Sequence, residues 1–203
     1  MKFYRRQNRD ARAVAAFPGS YHPITVAHLA VARAALRFAD EVVFVMPEKF
    51  PHKEYEMVGL EERMEMVRRA VDDEPRFSAA ITAGGLFIDV ARECRAAYGA
   101  GTELFVLCGT DAAERIVNWD YGNGAGFDRM LDEFQMLVAA RGGGYQPPVE
   151  LASRIHHLPM DADWSEVSAT EVRRRLVAGL DWKHLVPAAI HEEVARLYSE
   201  RAA

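Results

Sequence analysis

The run Ala16-Phe17-Pro18-Gly19-Ser20-Tyr21-His22-Pro23-Ile24-Thr25-Val26-Ala27-His28 decides how this chain is read. It closes a short apolar segment beginning at Ala13 that reads as a buried strand. It leads into Val26, Leu29, Ala30, Ala34 and Phe38, whose spacing is helical. A strand therefore feeds a loop, and the loop feeds a helix N-terminus. There, unpaired backbone N–H groups and the positive end of the helix dipole make an anion site. Gly19 is expected to let the backbone approach a phosphate closely, and Ser20 and Thr25 to add hydroxyl donors. His28, one turn inside the helix, would lean back over the N-terminus. The competing account is that Pro-Gly-Ser and His-Pro are ordinary turn chemistry, with a helix histidine beyond them.

Composition narrows the setting. Half of the 203 residues are apolar and 27% are charged, as in globular proteins with a sizeable core. A net charge of -5 and a pI near 5.8 leave no electrostatic footprint for nucleic acid. Cys94 and Cys108 have neither metal-ligand nor redox spacing and read as buried reduced thiols. Basic residues at the N-terminus (Lys2, Arg5, Arg6, Arg9, Arg12) precede an apolar run too short for a signal peptide or a membrane span. The expectation is a cytoplasmic enzyme without membrane or nucleic-acid partners.

Strand and helix patterns alternate along the rest of the chain. Glu41 to Met46 is a β-branched strand closed by Pro47, and Leu60, Met64, Val67 and Val71 form a helical stripe. Arg76 to Ile81 reads as a strand and Leu86 to Tyr98 as a helix. Glu103 to Cys108 reads as a central strand ending in a tight turn at Gly109. Asp111 then either accepts hydrogen bonds from a ligand or N-caps the next helix. Phe134 to Ala140 and Arg154 to Leu158 are further strands. Arg141 stands at the end of the first of these, where a fixed positive fork suits phosphate. Continuous apolar strands alternating with helices imply a parallel sheet covered on both faces, with ligands at the carboxyl ends of the strands. His156 and His157, being adjacent, point to opposite faces and do not form a joint metal site.

A second signal lies at Val167-Ser168-Ala169-Thr170-Glu171-Val172-Arg173. Ser168 with Glu171 is the pattern of a capping box, so a helix starts here on local grounds alone. Capping leaves Thr170 and Arg173, on the same first turn, without a role. The last helix is expected to begin at Pro187 and to bury Ile190, Val194, Leu197 and Tyr198.

The opening run resembles the Gly-Ser/Thr-Phe-Asp-Pro-Ile-His/Thr-x-Gly-His signature of the nucleotidyltransferases related to class I aminoacyl-tRNA synthetases. Gly19, Ser20, Pro23, Ile24, Thr25 and His28 match it, whereas His22 replaces an Asp and Ala27 a Gly. Ser168 to Arg173 resembles that family's Ile-Ser-Ser-Thr-x-Ile-Arg motif, with Ala169 for one Ser. Within the family the chain is similar to the nicotinate- and nicotinamide-mononucleotide adenylyltransferases. Pro51-His52-Lys53 followed by Glu61-Glu62-Arg63, and Gly109-Thr110-Asp111 followed by Trp119, match their softer patterns. Their Tyr-Thr specificity element is missing, since Gly85-Leu86-Phe87-Ile88-Asp89 stands in its place.

The resemblance implies an α/β fold, a Rossmann-like doubly wound parallel sheet with a C-terminal helical extension. It would form a single domain over 1–203, with its core over 11–160 and its C-terminal helices over 165–203. It implies an adenylyltransferase that joins ATP to a phosphorylated mononucleotide and releases pyrophosphate, with Mg²⁺ carried by the ATP phosphates. Thr25, His28 and Arg173 would be catalytic. Gly19, Ser20, Gly109, Asp111, Ser168 and Thr170 would bind nucleotide and phosphate, and His52, Lys53, Trp119 and Arg141 the acceptor. Ala27 would crowd the nucleotide where the family has no side chain. Pro18-Gly19-Ser20 and Thr25 are also similar to the pantetheine-phosphate adenylyltransferases, so phosphopantetheine stays open as an acceptor. A nucleotide-binding sensor without turnover is the reading from another class, and a homo-oligomer is compatible with all of them.

Overall fold

The structure is a computed structural model that describes residues 1–8, 10–49, 58–117, 127–140 and 144–199. Its elements run β1 (Lys2–Arg5), β2 (Ala13–Pro18), α1 (Val26–Ala35), β3 (Glu41–Pro47), α2 (Leu60–Ala70), β4 (Phe77–Thr82) and α3 (Phe87–Tyr98). There follow β5 (Glu103–Gly109), α4 (Thr110–Val117), α5 (Phe127–Met130), β6 (Gln135–Ala139), β7 (Ile155–Leu158), α6 (Ala169–Val177) and α7 (His191–Ser199). The strands form one sheet in the order β1-β4-β3-β2-β5-β6-β7, parallel throughout except for β1.

Strand side chains alternate between two apolar layers, as the period of a pleated strand requires. Phe17, Phe44, Met46, Phe105 and Leu137 face a layer completed by Leu29 of α1, Met64 and Val67 of α2, Val172 of α6 and Val194 of α7. Their neighbours Ala16, Val43, Val45, Val106 and Val138 face the opposite layer with Val90 and Cys94 of α3 and Ala113 of α4. The expected Rossmann-like doubly wound sheet is thus present, with α6 and α7 packed on one face. Both thiols are buried, and burial pushes each up to about 12, which leaves them inert.

The sequence is wound outward in both directions from the adjacent pair β2 and β5, which opens a crevice beyond their carboxyl ends. β2 delivers the opening loop to that crevice, and β5 delivers Gly109.

Three local expectations change. The basic N-terminal segment, which the sequence reading left without structure, is the antiparallel edge strand β1, paired with β4. Its arginines serve the carboxyl ends of helices, where the dipole favours positive charge. Arg5 donates to the carbonyls of Val71 and Glu74 at 2.8 Å and of Asp72 at 2.7 Å, and Arg6 to that of Ala97 at 2.7 Å. β5 runs directly into α4 without a separate turn, so Asp111 lies inside the first turn of the helix and does not cap it. Pro187 precedes a short 3₁₀ turn, Ala188–Ile190, and α7 starts only at His191. No described helix is long and apolar enough to cross a membrane.

Candidate active site

A cleft of about 160 Å³ opens at the crevice between β2 and β5. Phe17 at the end of β2 and Ala27, His28 and Val31 of α1 form one wall. Gly109 at the end of β5, Ala139 and Ala140 at the end of β6, and Met160, Ala162 and Trp164 on the segment between β7 and α6 complete the lining.

His28 is held in one orientation by its own helix. Thr25 is the N-cap of α1, and the pair makes a capping box in which His28 takes the place usually given to Glu or Gln. The Thr25 N–H donates to His28 Nδ1 at 3.0 Å, and Thr25 Oγ1 lies 2.7 Å from the same nitrogen. A nitrogen accepting from a backbone amide carries no proton, so the neutral ring bears its hydrogen on Nε2. Two aromatic rings flank the imidazole, Tyr21 edge-on at 5.3 Å and Phe17 at 6.0 Å. Thr25 itself is fully buried. Its hydroxyl faces His28 Nδ1.

Gly19 is held by two neighbours. Its N–H donates to the carbonyl of Val45 at 2.9 Å, and a Cβ built there would lie 2.7 Å from the ring of Tyr21. Glycine is required because Tyr21 folds back over it. Tyr21 is completely buried, adopts a left-handed backbone with φ of 42°, and donates its hydroxyl to the carbonyl of Phe17. The loop is therefore packed from within by its own aromatic residue.

Two arginines from distant elements grip the same loop. Arg63 of α2, only 4% exposed, donates to the carbonyl of Ser20 at 2.6 Å and to that of Val58 at 3.1 Å. Arg173 of α6 donates to the carbonyl of His22 and, at 3.3 Å, to Thr170 Oγ1. Between them His22 is buried, with its ring edge-on to Tyr198 of α7 at 5.1 Å. Burial, with the Arg173 and Arg63 guanidinium groups nearby, pushes its imidazole down to about 4. This explains how histidine is accommodated at position 22: it is a neutral packing group against α7.

Arg173 brings the first turn of α6 to the loop that precedes α1, so two helix N-termini lie near the cleft. Ser168 N-caps α6, accepting from the Glu171 N–H at 3.1 Å. The predicted capping box is only half formed, because the Glu171 carboxylate turns to Arg174 and Arg175 instead, at 2.7 and 2.6 Å. Thr170 is exposed beside Arg173.

Of the residues expected in the site, His28 and Gly109 line the cleft, Ser20 lies half-buried in the gripped loop, and Asp111 is exposed on α4. His52, Lys53, Trp119 and Arg141 lie outside the described residues. The sequence reading missed Tyr21, Arg63, Met160 and Trp164. Tyr21 carried a signal as a bulky aromatic inside a Gly-Ser turn, and Arg63 lay in the Glu61-Glu62-Arg63 pattern; Met160 and Trp164 carried none.

The Cytidylyltransferase-like family model matches residues 16–175. The "Probable nicotinate-nucleotide adenylyltransferase" of Thermus thermophilus is 33% identical over 181 residues, covering 86% of this chain and 91% of that protein. That of Rubrobacter xylanophilus is 31% identical over 202 residues, covering 88% and 87%. Among solved structures, the Plasmodium falciparum nicotinic acid mononucleotide adenylyltransferase complexed with NaAD superposes with a TM-score of 0.68 at 15% identity, covering 92% and 94%.

Proposed function

The chain belongs to the cytidylyltransferase-like family and is an adenylyltransferase, and from that premise we propose that it joins ATP to nicotinate mononucleotide, giving the dinucleotide and pyrophosphate. The observation that carries this reading is the imidazole of His28. It lines the cleft beside the N-terminus of α1, with its Nδ1 engaged by Thr25.

An oxygen of the acceptor phosphate attacks the α-phosphorus of ATP in line, and the bond from that phosphorus to the oxygen bridging to the β-phosphate breaks. The attacking oxygen is already ionised, so no general base is needed. The protein contributes position and charge stabilisation. His28 Nε2–H, the first turn of α6 with Ser168 and Thr170, and Arg173 meet the phosphate oxygens. The substrate is MgATP. The ion would be carried by the ATP phosphates and water. His52, Lys53, Trp119 and Arg141 are proposed for the acceptor on sequence alone. The product would place the reaction in pyridine dinucleotide synthesis.

The test is pyrophosphate release from MgATP with nicotinate mononucleotide, nicotinamide mononucleotide and phosphopantetheine offered separately. Release with the first acceptor alone is expected. Release only with another would change the acceptor, and silence with all three in protein that binds ATP would favour the sensor.

A further inference from the structure

The cleft has a polar end and an apolar wall, and they are different in kind. His28 marks the polar end. Beyond it the lining is largely carbon: Ala27 and Val31 of α1, with Met160, Ala162 and Trp164 of the segment between β7 and α6. A nucleotide whose phosphates sit at the two helix N-termini has only its base to offer such a wall.

Among the described residues that this segment contributes to the lining, Trp164 is the large aromatic one, and it is partly buried. Its backbone is fixed on both sides. The Trp164 carbonyl accepts from the Val167 N–H at 3.1 Å, immediately before the cap of α6, and Asp163 Oδ1 accepts from the Ser165 N–H at 2.8 Å. Asp161, three residues earlier, is paired with Arg37 beyond the end of α1 at 2.8 Å. The segment is thus closed by its own turn before α6 and tied by Asp161 to Arg37 beyond the end of α1. An indole held there but left partly in water is suited to receive a flat aromatic ligand.

We propose that Trp164 is a binding residue against which the adenine of ATP stacks, a role that rests on the adenylyl-transfer reading above. The indole supplies affinity for the base and takes no part in the transfer itself. The hydrogen bonds that orient the phosphates are made elsewhere, so its loss weakens ATP binding and leaves the acceptor untouched.

The experiment measures binding of MgATP, tripolyphosphate and nicotinate mononucleotide, each alone, to the wild-type protein and to Trp164→Ala and Trp164→Phe. For Trp164→Ala the Kd for ATP is expected to rise about tenfold or more, with Phe restoring most of it. Tripolyphosphate, which has no base, should bind all three proteins alike, and so should the mononucleotide. A melting temperature unchanged in Trp164→Phe guards against misfolding. An ATP Kd within about twofold of wild type in Trp164→Ala overturns the assignment, as does a loss that tripolyphosphate or the mononucleotide shares. Wild-type protein that binds the mononucleotide but not ATP would instead overturn the adenylyl-transfer reading, and Trp164 with it.

Discussion

At the scale of single residues, the site is built by side chains that constrain other side chains. Thr25 holds His28 Nδ1, so the histidine presents one tautomer. His28→Ala should therefore lower kcat/KM for adenylyl transfer by about 10²- to 10³-fold, the usual loss for one preorganised donor to a developing charge. Pyrophosphate release under steady-state conditions measures this. Thr25→Val should give a smaller loss of the same kind, since the ring is still present but no longer held by the hydroxyl. His22 makes a prediction of another type. Its folded value of about 4 lies below the ordinary 6.5, so the unfolded chain takes up its proton first as pH falls. Stability is then lost progressively between about pH 6.5 and 4, by at most about 3 kcal/mol. Thermal melts of wild type and His22→Gln across this range should diverge, the variant lacking this part of the acid sensitivity. Parallel curves would show that Arg63, Arg173 and Tyr198 do not hold His22 neutral.

At the scale of elements, two helix N-termini carry the proposed chemistry, and each is capped by a side chain. Ser168→Ala removes the cap of α6 and is expected to cost about 1 kcal/mol in chemical denaturation. If the hydroxyl also donates to phosphate, kcat/KM falls further than that stability loss can account for, and Ser168→Thr restores both. Recovery of stability alone would leave Ser168 a cap and nothing more. The first motif is legible in the sequence because its pieces are contiguous: strand end, turn and helix start follow one another from Ala13 to His28. The second is half legible. Ser168 caps as its position demands, but Glu171 is drawn away by Arg174 and Arg175, a competition that the capping pattern does not register.

At the scale of the molecule, the sheet brings the two motifs together. α1 follows β2 and α6 follows β7, which are separated by β5 and β6 in the sheet. The side chain of Arg173 closes the remaining gap to the carbonyl of His22. A ligand bridging the two helices should stabilise the whole fold. At a MgATP concentration of 100 Kd the gain is about 2.7 kcal/mol, or roughly 5–10 °C in melting temperature for a chain of this size. Differential scanning calorimetry with and without MgATP measures it, and an unchanged melting temperature at saturating nucleotide would argue against a site that spans both helices. The edge strand β1 belongs to the same scale. It covers β4, and the chain with residues 1–6 deleted is expected to aggregate through the exposed edge, as read by light scattering.

What the sequence determined by itself is local. Apolar runs such as Val42 to Met46 and Leu104 to Cys108 specify strands buried on both faces, stripes such as Leu60, Met64 and Val67 specify helices, and Thr25 and Ser168 specify where two of them begin. These follow from backbone periodicity and capping, which act over a few residues. The partners of the loop were decided only by tertiary structure. Arg63 reads as a charge on a helix face until the fold buries it against Ser20, and Trp164 belongs to no motif until its segment joins Val31 in lining the cleft. In each case the deciding contact joins backbone groups or rings whose meeting depends on the path of the chain, and nothing in the spacing of residues along that chain encodes it.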